Sequence, residues 1–116
     1  MVQYSPAFDQ TFGALADATR RGVLERLGRS EAAITELAEQ FGMTLTGMKK
    51  HVRVLEDAGL VSTKKVGRVR SCSLGSRRLD QEVALLVGYQ SMLDERYDRL
   101  AAFLERTKGV EDDHDR

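Results

Sequence analysis

Seven cations crowd a short stretch of this sequence: Lys49, Lys50 and Arg53, then Lys64, Lys65, Arg68 and Arg70. Lysine and arginine at this density are the residue types that meet phosphate oxygens and the acceptor edges of bases. Small residues accompany the first group, Thr44, Thr46 and Gly47, and they let a backbone come close to a groove. The charge is concentrated. Residues 44–78 hold nine Lys and Arg against two acids, a balance of +7, while 1–43 sum to −2 and 79–116 to −5. The whole chain is neutral, but a phosphate feels charge only within a Debye length of about 8–10 Å. Each cluster alone has a plainer reading, a solvated helix face for the first and a lysine-protected hairpin edge for the second.

The elements that must position these cations follow from hydrophobic spacing. Phe8, Phe12 and Leu15 mark a first helix over 7–15, and Asp17 can cap a second, with Val23, Leu24 and Leu27 apolar and Gly28 at its end. Ala32–Ile34 reads as a short extended piece. Thr35 is expected to cap a compact helix with Leu37, Ala38 and Phe41 inward, closed by Gly42. Thr44 then caps a helix over 44–58, in which Leu45, Met48, Val52 and Leu55 share one face. Ala38, Gly42 and Met48 have the spacing of a helix-turn-helix: a small residue at the crossing, glycine at the turn, an apolar residue packing back. The period changes after Gly59. Val61–Val66 and Val69–Leu74 are β-prone about a Gly67-Arg68 turn, a hairpin over 61–74 that carries the second group of cations. A basic hairpin beside a basic helix is the arrangement of a wing beside a recognition helix.

Ser76 is expected to cap a last helix over 76–107. There Leu79, Val83, Leu86, Gln90, Leu93, Tyr97, Leu100 and Leu104 alternate four and three apart, a heptad seam with one polar member. A helix of roughly 30 residues is about 45 Å long, more than one small domain covers, so a second copy is expected on the seam. Gln90 would set register there, and Tyr97 would lay its ring in the seam with its hydroxyl at the edge. Asp94, Glu95 and Asp98 keep this helix from DNA. Residues 108–116 are expected to be a disordered acidic tail. The fold class is therefore mainly α with a small β-hairpin, a winged helix-turn-helix of order α-α-β-α-α-β-β-α over 7–107.

The run Phe12-Gly13-Ala14-Leu15-Ala16-Asp17-Ala18-Thr19-Arg20-Arg21, with Val23-Leu24-Glu25-Arg26-Leu27 after it, resembles the opening of ArsR-family regulators. Ile34-Thr35-Glu36-Leu37-Ala38 and Lys50-His51-Val52-Arg53-Val54-Leu55-Glu56-Asp57-Ala58-Gly59-Leu60-Val61 are similar to that family's helix-turn-helix. The resemblance runs over about residues 8–105. It implies a homodimer joined through the first helix (Phe8, Phe12) and the last, bound to double-stranded operator DNA near its own promoter and usually repressing. It also implies Thr44, Thr46, Lys49, Lys50 and Arg53 for the groove and Arg68 for the wing. Lys49 stands where many relatives have Ser, and Gly47 weakens its helix by roughly 1 kcal/mol relative to Ala.

Other chemistries find little support. Relatives that sense metals carry a cysteine pair in the helix of Thr35–Phe41, or Asp and His ligands on the last helix. The first helix here has no cysteine and residues 79–107 have no histidine, so the sequence resembles the non-metal branch and no metal or cofactor is expected. Cys72, the one cysteine, admits no internal disulfide and fits a reducing compartment; it reads as a strand residue before a redox sensor. His51 reads as a packing or phosphate contact and His114 as part of the tail. No phosphate-binding glycine loop, nucleophile elbow or acid–base pair supports an enzyme. Neither a signal peptide nor a membrane span is expected, and the expected location is cytoplasmic. The alternative function is a winged-helix protein–protein module without specific DNA binding. No effector, operator sequence or sign of regulation is legible.

Overall fold

The computed structural model describes residues 6–114, with side-chain surroundings through Lys108. Its elements are α1 Pro6–Leu15, α2 Ala18–Leu27, β1 Ala32–Ala33, α3 Ile34–Gln40, α4 Leu45–Asp57, β2 Val61–Val66, β3 Val69–Leu74 and α5 Asp80–His114. They form two compact units, one ending at Arg78 and one beginning at Leu79.

The first unit is closed by local signals. Asp17 caps α2, its carboxylate accepting from the Arg20 amide at 3.0 Å. Helix α3 begins at Ile34, with Ala33 as its cap, and not at the expected Thr35. The Glu36 side chain reaches back to accept from the Ala33 amide at 3.4 Å, which secures the earlier start. At the other end of α3, Met43 N–H donates to Ala38 O and Gly42 N–H to Glu39 O, with Gly42 at φ 62°. This pair of hydrogen bonds ends the helix and aims the chain at Thr44, a turn that needs the left-handed conformation glycine enters freely. Thr44 then caps α4 by accepting from Gly47 N–H at 3.0 Å. A Cβ on Gly47 would lie 3.2 Å from that hydroxyl, so the glycine belongs to the cap it weakens as a helix former.

Val23, Leu37, Met48, Leu55 and Cys72 are fully buried and make the centre of the core, with Val52 beside them. Leu45, expected on the same inward face of α4, is exposed at the helix start. The hairpin has the expected bounds, but the sheet is larger than a hairpin. Ala32 and Ala33 pair antiparallel with Cys72 and Ser71, giving three strands in the order β1-β3-β2. Two alanines between Glu31 and Ile34 carry no strand periodicity; the pairing comes from β3, whose free edge they cover.

The wing leaves the sheet at Gly75, whose N–H donates to Leu60 O at 2.9 Å. A Cβ on Gly75 would strike the Gly59 carbonyl oxygen, so backbone crosses backbone there and only glycine fits. Because Gly75 is tied to Leu60, in the loop between α4 and β2, Ser76–Arg78 form the exit segment, and α5 begins at Asp80 and not at Ser76. Helix α5 also runs past Thr107 to His114, through most of the segment expected to be a disordered tail; no proline interrupts it. Residues 115 and 116, and every side chain from 109 onward, lie outside those described. Along α5 the side chains of Val83, Leu86, Leu93, Tyr97, Leu100 and Leu104 are all exposed. Gln90 donates to Asp94 Oδ1 at 2.9 Å within the same helix.

Candidate nucleic-acid interface

Burial of Met48, Val52 and Leu55 leaves Lys49, Lys50 and Arg53 exposed along the other side of α4. Thr44 and Thr46 are exposed at its start, while Gly47 is half-buried against the cap. The hairpin register then sorts the wing cations. Lys65 stands opposite Arg70, Thr63 opposite Cys72 and Lys64 opposite Ser71. Side chains alternate across a strand, so Lys65 and Arg70 share a face with buried Val61 and Cys72, the face turned to α4. Lys64 lies on the opposite face with Ser71.

Two clefts open between α4 and the wing. One, of about 350 Å³, is lined by Lys49, Arg53, Glu56, Asp57, Thr63 and Arg70 together with Ile34 and Val52. The other, of about 280 Å³, is lined by Thr35, Leu45, Lys49, Lys65, Arg68 and Arg70 with Ile34 and Val69. Ile34, Lys49 and Arg70 line both clefts, which therefore adjoin as one groove bordered by five of the seven cations; Lys50 and Lys64 line neither cleft.

A hydrogen-bonded bridge crosses the first cleft. Thr63 Oγ1 donates to Glu56 Oε2 at 2.6 Å and accepts from Arg70 Nη1 at 3.0 Å. Behind α4 a second set of contacts holds it to the amino-terminal helices. Arg20 donates through Nε to Ala14 O at 2.9 Å, through Nη2 to Gly13 O at 3.0 Å and through Nη1 to His51 Nδ1 at 3.2 Å. Asp17 Oδ2 lies 3.8 Å from the same ring nitrogen. The Arg20 amide at its carboxylate, aided by the charge of Arg20, holds Asp17 below the usual carboxylate range against some desolvation. His51 thus faces α1 and α2 and not the cleft. Cys72 is fully buried on the central strand, and burial pushes its thiol up, which favours the unreactive protonated form.

Among the described residues, no group of three or more His, Cys, Asp or Glu side chains is placed to hold a metal ion. No described helix is long and apolar enough to cross a membrane.

This geometry has relatives. A model of a helix-turn-helix domain matches residues 15–63. The HTH-type transcriptional regulator Rv2034 of Mycobacterium tuberculosis is 32% identical over 94 residues, which cover 74% of this chain and 88% of the relative. The crystal structure of an ArsR family transcriptional regulator, RHA00566, matches with a TM-score of 0.71 at 41% identity, over 81% of this chain and 97% of that one. The chain belongs to the ArsR family of winged helix-turn-helix transcriptional regulators. The ArsR frame extends to more distant structures. The homodimeric winged helix-turn-helix domain Mb0332 of Mycobacterium bovis shares the fold with a TM-score of 0.58 at 24% identity, over 82% of this chain and 92% of that domain.

Within this ArsR-family chain, the bridge through Thr63 and the Arg20–His51 contact are the site features that sequence reasoning missed. The first had a usable signal. In a hairpin turning at Gly67, Thr63 and Arg70 are diagonal neighbours on one face, within reach of a long side chain. The second had none, because 31 positions separate Arg20 from His51.

Proposed function

We propose that the chain acts as a cytoplasmic homodimeric repressor that reads a roughly palindromic operator. In this reading α4 enters the major groove with Thr44, Thr46, Gly47, Lys49, Lys50 and Arg53, and the wing holds flanking phosphates with Lys64, Lys65, Arg68 and Arg70. The observation that carries it is the groove bordered from one side by Lys49 and Arg53 and from the other by Lys65, Arg68 and Arg70. Cations collected from a helix and a hairpin around one concavity repel one another. A polyanion that displaces their counterions relieves that repulsion.

Dimerisation is supported by α5, whose seam residues leave apolar surface in water that a second copy would cover. The homodimeric state of the related Mb0332 domain agrees with it. Phe8 and Phe12 on α1, in edge-to-face contact at 6.3 Å, join the proposed interface. We place the chain in the non-metal branch, without a metal cofactor, because α3 has no cysteine and residues 79–107 no histidine, and we read it as a regulator and not an enzyme.

The test is anisotropy of labelled duplexes, the chain's own upstream DNA and a scrambled copy, at two salt concentrations. The expected result is binding of the native fragment in the range of about 10⁻⁸ to 10⁻¹¹ M at physiological salt, with log K falling steeply in log salt. Equal weak binding to both would remove sequence-specific reading of that fragment. Binding to neither would favour the protein–protein module.

A further inference from the structure

We infer that Glu56 is a positioning residue for the wing: its carboxylate, acting through the Thr63 hydroxyl, fixes the direction of Arg70 and thereby the discrimination between operator and unrelated DNA. The inference deepens the DNA reading above and rests on it.

Glu56 stands where a carboxylate has no evident local reason to be. It lies in the last turn of α4, where the helix dipole disfavours negative charge, and lines, with Asp57, a cleft that Lys49, Arg53 and Arg70 also border. What it does contact is the wing. Thr63 has one hydroxyl proton, and at 2.6 Å to Glu56 Oε2 that proton is committed to the carboxylate in a short, charge-assisted bond. The lone pairs then point away from Glu56, and Arg70 Nη1 donates to them at 3.0 Å. The hydroxyl is polarised from both ends, carboxylate on one side and guanidinium on the other, so each bond strengthens its neighbour.

Arg70 needs such a hold. It stands directly opposite Lys65 across the ladder, and like charges in that position repel. A free arginine there would sample many rotamers and meet phosphates of any sequence. Held by Thr63, it keeps further N–H donors available in a set direction on the groove that Lys49 and Arg53 border. The ordering is done before DNA arrives, which favours the duplex whose shape fits the fixed array over duplexes that only offer charge. The bridge also joins β2 and β3 to the end of α4 by side chains, so it sets the angle between wing and recognition helix.

The experiment uses the full chain and two labelled duplexes, one selected from a randomised pool on the unaltered protein and a scrambled copy of it. Glu56→Ala is expected to lower the ratio of selected to scrambled affinity about tenfold, weakening the first while the lost negative charge strengthens the second. Glu56→Gln keeps an oxygen for the Thr63 proton and is expected to hold the ratio within about threefold. Thr63→Val should reproduce the loss, and adding it to Glu56→Ala should cost nothing more. Asp57→Ala removes a charge from the same cleft without touching the bridge and should strengthen both duplexes alike. Circular dichroism checks that each variant is folded, and Thr63→Val carries the test if Glu56→Ala is not. The inference is overturned if Glu56→Ala behaves as Asp57→Ala does, or if Glu56→Gln loses as much as alanine. Failure of the unaltered chain to select any duplex would instead overturn the DNA reading beneath it.

Discussion

Helices α4 and α5 carry the same kind of apolar spacing and meet opposite fates. On α4, Met48 and Leu55 are 0% exposed; on α5, Leu93 is 60% and Tyr97 71% exposed. The periodicity in both cases says that a face is to be covered. It does not say by what. The first unit supplies the cover for α4 from Val23, Leu37 and the sheet, whereas the α5 stripe is exposed, the surface that the proposed second copy would cover. Apolar surface of this extent on a helix costs free energy in water at roughly 25 cal/mol per Å², so a partner is the economical resolution.

The largest effect that would break the contrast lies on α5. Leu93→Glu together with Leu100→Glu would place four new charges in the proposed symmetric interface. They should yield a monomer by light scattering and reduce operator affinity by about 100-fold or more through lost avidity, with the first unit still folded. A double variant that remained dimeric would mean that the seam is covered otherwise. Next in size is Leu55→Ala, which opens a cavity in the first unit and should destabilise it by about 2–5 kcal/mol in urea unfolding. The same truncation at Leu93 should cost the folded first unit far less, and equal losses would erase the distinction between the helices. Smaller again is Arg68→Ala on the wing. It should weaken binding to native and scrambled duplexes together and lower the salt slope by about one, which separates phosphate contact from base reading.

The smallest effect concerns Asp17, at the cap of α2. Its carboxyl is held below the ordinary value in the folded chain, so it binds its proton less readily there than when unfolded. The contribution is therefore full above about pH 4, the unfolded value, and is lost as pH falls through the lower folded value. Asp17→Ala should lower the melting temperature slightly at neutral pH and leave it nearly unchanged in strong acid. A gap between the two proteins that widened in acid would reverse the assigned sign.

These cases also mark how far the sequence was legible. The helix caps at Asp17 and Thr44, the turn at Gly42 and both hairpin strands rest on interactions within a few residues, and local chemistry announces them. Ser76 has the right side chain for a cap, yet α5 begins at Asp80, because the chain at Gly75 is still held to Leu60 by a contact 15 positions away that no local signal announces. The extended piece at Ala32–Ala33 is legible, but its pairing with β3 is not, since two alanines name no partner strand. For the site, the identity and exposure of the cations on α4 followed from periodicity. Their assembly into one groove, and the exclusion of Lys64 and Lys50 from it, depended on hairpin register and the angle of the wing.

The backbone crossing at Gly75 has a consequence for how such a protein can diversify. The base of the wing has no room for even a methyl group, whereas the tip is open: a Cβ at Gly67 would meet nothing within 4 Å, and only the φ of 64° at that turn keeps glycine there. Space for change is thus open around the tip, at positions beside Gly67, and closed at the base. A lineage can lengthen or recharge the tip to reach further along a duplex, and a protein engineer can do the same. Neither can re-hinge the attachment without rebuilding the end of α4. New operator footprints should therefore arise by changing what the wing carries, with its mounting left as it is.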